Sequence, residues 1–270
     1  MNSHTKWIWS VLIVLCTAIG CDTKEAEPVT CDVLFGMPSE NTGLSADQCA
    51  PQCECGDHPW TPLTYEEQDF QALEEWILTN PPPLLTADPY ATPDEVDVDQ
   101  EAYCAVLLNP ETKEYSLQQF EQEDQARELA GKITHKGPCG QCSSLQNLAV
   151  YMRNPDLTEP VRSCGLKGVF EGQEANIECL MEIGFDEACA QIWYFNTQHT
   201  RESCLEVCME NLESPHHLSD GQLNPCIQCD EDESGPIFKA VSGRTRRNSG
   251  LPSGLCRPCE SVYRVDHQYP

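Results

Sequence analysis

Residues 139–152 read CGQCSSLQNLAVYM. Two cysteines stand three apart, directly before a run in which Leu145, Leu148, Ala149 and Met152 recur at helical spacing. Cys139 falls near the expected start of that helix, and Pro155 marks its end. The pattern is a helix pinned near its N-terminus by thiols, and downstream sequence is of the same kind. Residues 174–184 and 186–197 are expected as two helices broken near Gly184. Residues 200–212 are expected as another, with Cys204 and Cys208 one turn apart on one side, each reaching a different neighbour.

Toward the N-terminus, Ser116 is expected to cap a helix running to about Leu129, with Gly131 as its stop. Thr64 and Glu67 have the form of a capping box for a helix that carries Phe70, Leu73, Trp76 and Ile77 and ends at Pro81. Pro81-Pro82-Pro83, Pro89 and Pro93 then suit an extended linker. The acidic run Asp94 to Glu101 lacks the glycine and terminal glutamate of a calcium loop and reads as solvated. No period-2 alternation is sustained. The expected fold is mainly α and disulfide-rich, with long irregular segments and an extended acidic N-terminal region. Its parts are a signal peptide over 1–20, a cysteine-containing tether over 21–63, a helix and Pro-rich acidic linker over 64–102, and a disulfide-stapled helical domain over 103–270. Apart from the helix near 64–79, residues 22–98 are expected to be a loosely ordered spacer, because so acidic and Pro-rich a composition buries little apolar surface.

The chain has 18 cysteines among 270 residues, a density that fits an oxidising compartment. Its formal net charge is −28, which argues against nucleic acid as a partner, since phosphate binding needs clustered Lys and Arg. Residues 236–270 reverse the sign, with six basic residues against two acidic ones. Arg244, Arg246 and Arg247 form a cluster there whose guanidinium groups suit a carboxylate or phosphate ligand. The simpler reading pairs them with the protein's own acidic surface.

Lys6 precedes an almost uncharged apolar run from Trp7 to Ile19, too short to span a bilayer core of ~30 Å. The stretch Ala18-Ile19-Gly20-Cys21 that closes it resembles the lipobox of bacterial lipoproteins. That resemblance implies cleavage before Cys21, a diacylglycerol on its thiol with palmitate among the acyl chains, and attachment to a membrane of the cell envelope through the lipid. Setting aside Cys16 and Cys21 leaves an even number of cysteines for disulfides. An ordinary secretory signal, cut near Ala18 or Gly20, would leave Cys21 free to pair.

Three CxxC pairs carry the candidate chemistry. Cys139-Gly140-Gln141-Cys142 at a helix start resembles the active-site motif of thioredoxin-like oxidoreductases. The resemblance implies Cys139 as nucleophile, its thiol pKa lowered by the helix terminus, and Cys142 as resolving thiol. Residues 128–138 lack the apolar strand that precedes that motif, and Pro138 stands where an aromatic is usual, so a structural staple is preferred. Cys226, Cys229, Cys256 and Cys259 give two knuckles of the spacing that a four-thiolate zinc site uses, in competition with disulfide formation. There is no G-x-S-x-G, H-E-x-x-H, G-x-G-x-x-G, phosphate loop or C-x-x-C-H, and no cofactor is expected. The function expected is binding or structural rather than enzymatic: a lipid-anchored extracytoplasmic protein with a ligand or protein partner. A thiol–disulfide oxidoreductase and a metal-binding module are the alternatives.

Overall fold

The helix after Cys142 forms as α3 (Leu145–Arg153) in the computed structural model, which describes residues 33–53 and 59–270. The expected signal segment with Cys21, and Cys31 and Cys55, lie outside the described residues. Five more helices follow: α4 (Thr158–Glu171), α5 (Gln173–Ile183), α6 (Glu187–Glu210), α7 (Pro225–Glu233) and α8 (Gly235–Ser242). Gly184, in the left-handed conformation, ends α5 as expected. The two helices expected over 186–212 are one continuous helix, α6.

The starts of α3 and α6 are locked together. Ser144 caps α3 by accepting the Asn147 N–H at 3.1 Å, and its hydroxyl donates to Asp186 at 2.8 Å. Asp186 caps α6 by accepting the Cys189 N–H at 2.9 Å, and it also takes the Asn147 side-chain amide at 2.8 Å. Two helix N-termini thus share one carboxylate, each cap being worth ~1 kcal/mol, with the carboxylate favoured by both dipoles. The Cys142–Cys189 disulfide closes the same junction, its Cα atoms 4.6 Å apart.

The helices dominate, but two mixed sheets correct the mainly α expectation. In the larger, β4 (Tyr103–Asn109) runs antiparallel between β5 (Glu114–Phe120) and β6 (Lys132–Lys136), and the short β3 (Ile77–Leu78) adds parallel to β5. β4 shows no alternation because both its faces are covered. Val106 packs into the main helical core, while Ala105 packs with Phe120, Ala126 and Ile133 on the other face. The expected helix from Ser116 is therefore strand first, and helix only as α2 (Glu123–Glu128), capped by Gln122. The early helix is also shorter than expected. As α1 (Glu67–Glu74) it is capped by Glu66 and Asp69 rather than by Thr64, and Ile77 leaves it to hydrogen-bond Lys113 across the sheet.

The smaller sheet joins the two ends of the described chain. β1 (Leu34–Phe35) lies between β2 (Cys49–Ala50) and β7 (Arg257–Pro258). Disulfides Cys49–Cys256 and Cys53–Cys259 fasten the same junction, so this part of the expected tether is bonded to the body. The Pro-rich stretch is also held. The Leu85 N–H reaches Gln191 on α6 at 2.8 Å, and Tyr90 bonds Asn196 at 2.9 Å while stacking on His199 at 4.4 Å. Two apolar anchors suffice to dock a chain whose remaining residues are solvated.

All 14 described cysteines are paired, the remaining bonds being Cys104–Cys139, Cys164–Cys179, Cys204–Cys229 and Cys208–Cys226. Cys204 and Cys208 reach the same neighbour, α7, rather than two. α7 runs antiparallel beside α6, so a CxxC on one helix faces an i, i+4 pair on the other. Peptide mapping of the unreduced protein should recover Cys104–Cys139 and Cys142–Cys189 as separate links. A peptide closed between Cys139 and Cys142 would contradict this frame.

Candidate functional site

Cys139 and Cys142 act as the preferred staple, and the alternative CxxC chemistry is taken up by the frame. Cys139 and Cys142 are bonded to β4 and α6, not to each other, and Cys142 is fully buried. A thiol pair that never closes on itself, with one sulfur sealed, corrects the nucleophile-and-resolving reading. The proposed zinc thiols Cys226, Cys229, Cys256 and Cys259 are likewise bonded, to Cys208, Cys204, Cys49 and Cys53. As disulfides they offer no thiolate, and no cluster that could hold a metal exists among the described residues.

The arginine cluster divides into three roles. Arg244 is fully buried, and all five of its N–H donors are used. They reach the carbonyls of Cys142 (3.1 Å), Thr134 (3.0 Å) and Ser143 (3.0 Å) and the hydroxyls of Thr134 (2.6 Å) and Ser249 (3.2 Å). Burial pulls its pKa down to about 10, still charged at neutral pH. Arg246 donates to the carbonyls of Tyr151 and Asn154 at the C-terminal end of α3 and lies over the Tyr151 ring. Only Arg247 meets a carboxylate, Glu231 at 3.3 Å, and Glu231 also receives Arg257. The expected pairing with acidic surface thus holds for Arg247 alone.

Around Arg244 lies a sealed polar cluster. His135 Nδ1 faces the Lys136 carbonyl at 3.1 Å, so Nε2 is the acceptor for the Ser143 hydroxyl at 2.8 Å. This is nucleophile-and-base geometry, but both residues are fully buried, and no substrate reaches them. His267 is buried beside it, bonded to the Ser249 carbonyl at 2.8 Å. Burial and then the Arg244 charge push its pKa down to about 3.

Among the described residues, an open cavity of about 560 Å³ lies between α4, α6, α7 and the loop after α8, within the range of small-molecule sites. Tyr194, Thr197, Arg201 and Leu205 of α6 line one side and Val161, Leu166 and Val169 of α4 another, with Trp193 and Phe238 in the wall. The last two rings pack at 4.6 Å. Its rim exposes Leu166, Val169, Leu205, Met209 and Leu212, of which Met209 is 61% accessible. Contiguous apolar side chains left open in this way mark a contact surface more often than scattered ones do. Asp230 faces the cavity. Burial raises its carboxyl pKa against the bonds from Thr200 and Asn196. Asp156, at another part of the wall, is raised by burial, but the bonds from His216 and Thr158 outweigh this and hold it below the usual carboxylate range.

Sequence reading missed this cavity because it missed α4. Pro160, Gly165 and Gly168 weaken the helical signal there. The glycines are nevertheless where α4 packs. A Cβ on Gly168 would come within 2.8 Å of Asn176 on α5, and one on Gly165 would touch Thr197 on α6 at 3.7 Å. The available signal was the exposed apolar spacing of Leu205, Met209 and Leu212, which no core required.

His267 makes the fold acid-sensitive. Its folded pKa of about 3 lies below the ~6.5 of an unfolded histidine. Its contribution is thus complete above the unfolded value and is lost as pH falls toward the folded one. In denaturant titrations, wild type should exceed His267→Gln in stability at pH 7, and the gap should narrow by ~3 kcal/mol by pH 4. A gap that does not change with pH would contradict a neutral buried imidazole.

Residues 173–265, α5 to beyond β7, match the model of a family described as "Family of unknown function (DUF8771)". No curated protein and no solved structure matches the chain. The matched segment contains α6, α7, the arginine cluster and, in whole or in part, six of the seven described disulfides, all but Cys104–Cys139, and it is similar to that family over about a third of the chain.

Proposed function

We propose that this protein is a lipid-anchored binding protein of the cell envelope whose disulfide-stapled body presents the groove between α4 and α6 to a ligand. The groove carries this reading: about 560 Å³ of mainly apolar-walled space with exposed apolar side chains along its rim. The seven described disulfides fit an oxidising, extracytoplasmic compartment. The lipid anchor rests on the lipobox-like segment at Ala18–Cys21. Binding suits the frame better than catalysis, because the paired thiols and the Ser143–His135 pair are buried or bonded.

A ligand in this groove would gain from burying the rim, at roughly 25 cal/mol per Å² of apolar surface. The neutral fluorophore N-phenyl-1-naphthylamine should therefore bind one to one. Leu205→Asp, at a residue 54% accessible and so harmless to the core, should weaken it at least about tenfold by placing a charge in the apolar lip. Failure of the probe to bind, or no effect of the substitution, would sink the groove as a ligand site. Separately, intact-mass analysis of membrane-extracted protein should give residues 21–270 plus acyl mass, whereas a chain starting elsewhere without acyl mass would remove the anchor.

A further inference from the structure

The groove is electrostatically unlike the rest of the chain. Arg162, Arg201, Lys239, Arg246, Arg247 and Arg257 line it, against Asp156, Asp230 and Glu231. Six cations against three carboxylates of its own make the wall net positive on a chain of net charge −28, even with Arg162 paired to Glu159 outside the lining. Glu231 is shared between Arg247 and Arg257, and burial weakens the ionised form of Asp230. Arg246 is held by carbonyls alone, which orient a guanidinium without cancelling its charge. Beside Arg246, the buried Trp193 indole N–H faces the buried Tyr151 hydroxyl, and both residues belong to the cavity wall.

The neighbouring surface is of the opposite kind. On α4, Leu166 follows Arg162 by one turn, and on α6, Leu205 follows Arg201 by one turn, so each helix presents a cation and then an apolar lip. We infer that the groove takes an amphipathic anion, with a carboxylate or phosphate head against Arg246, Arg247 and Arg257 and a single hydrocarbon chain between the lips of α4 and α6. This rests on the binding role proposed above and specifies its ligand. Guanidinium groups bind such heads bidentately, and the surrounding acidic surface repels anions that have no apolar part to hold them.

Calorimetric titration of the full chain with decanoate, decyl phosphate and decanol tests this. Both anions should bind about tenfold or more tighter than decanol, the size of one good charge-assisted contact, and the preference should shrink as salt is raised. Arg247→Gln should narrow the preference without changing decanol binding, since that side chain makes only a partly exposed ion pair in the fold. Leu205→Asp should weaken all three ligands. Preference for one anion over the other distinguishes a carboxylate from a phosphate head. Equal binding of decanol and the anions, or a preference that neither salt nor Arg247→Gln alters, would overturn the head-group assignment while leaving the groove. Failure of all three ligands together with the neutral fluorophore would overturn the binding role itself.

Discussion

The buried Arg244 guanidinium is the constraint on which the remaining arrangement depends. No carboxylate among the described residues pairs with it. Taking such a charge out of water costs several kcal/mol, and only the complete use of its five donors offsets this. Those donors join three distant pieces: Thr134 on β6, Cys142 and Ser143 before α3, and Ser249 in the loop after α8. None of them can shift without leaving a buried donor or acceptor open. Arg244 also fixes the chain direction at 245–247, so Arg246 and Arg247 are delivered to the groove by a residue that never touches it.

Disulfides add covalent closure to the packed helical core. Cys104–Cys139 and Cys142–Cys189 bracket the segment that Arg244 holds, and Cys204–Cys229 and Cys208–Cys226 fix α7 against α6 at two successive turns. A chain of net charge −28 repels itself when compact, and covalent closure of loops disfavours the open ensemble instead. With the helices fastened in this way, α4 and α6 keep apolar side chains at the surface without collapsing over the gap between them. The bonds that use up the candidate redox and metal thiols thus also fasten α6 and α7, two walls of the groove, while Cys164–Cys179 ties α4 to α5.

What the sequence made legible was local. Gly184 at the end of α5 is a short-range signal and acts as read, whereas α3 starts at Ser144 rather than near Cys139. β4 was hidden because a strand covered on both faces has no alternation, and α4 because its packing glycines look like helix breakers. The connectivity of the CxxC pairs was misleading for a related reason. Spacing along the chain suggests closure within a pair, whereas Cys226 and Cys229 lie one turn apart on α7 and point together at α6. The arginine cluster was recognised as unusual, yet its division into a core cation, a helix-end clamp and a rim ion pair is set by contacts that span about a hundred residues of chain, from Arg244 to Cys142 and from Arg246 to Tyr151. The groove is set by packing between helices distant in sequence, and of its lining only Arg246 and Arg247 were singled out in advance for binding an anion.

The measurement that bears most directly on the groove as a ligand site is a map of backbone amide shifts during titration with decanoate. Changes should concentrate in residues 161–169 of α4, in 197–212 at the C-terminal half of α6 and just beyond it, and in 245–247, with the sheet residues 103–120 unmoved. Shifts centred elsewhere, or none at saturating ligand, would contradict it.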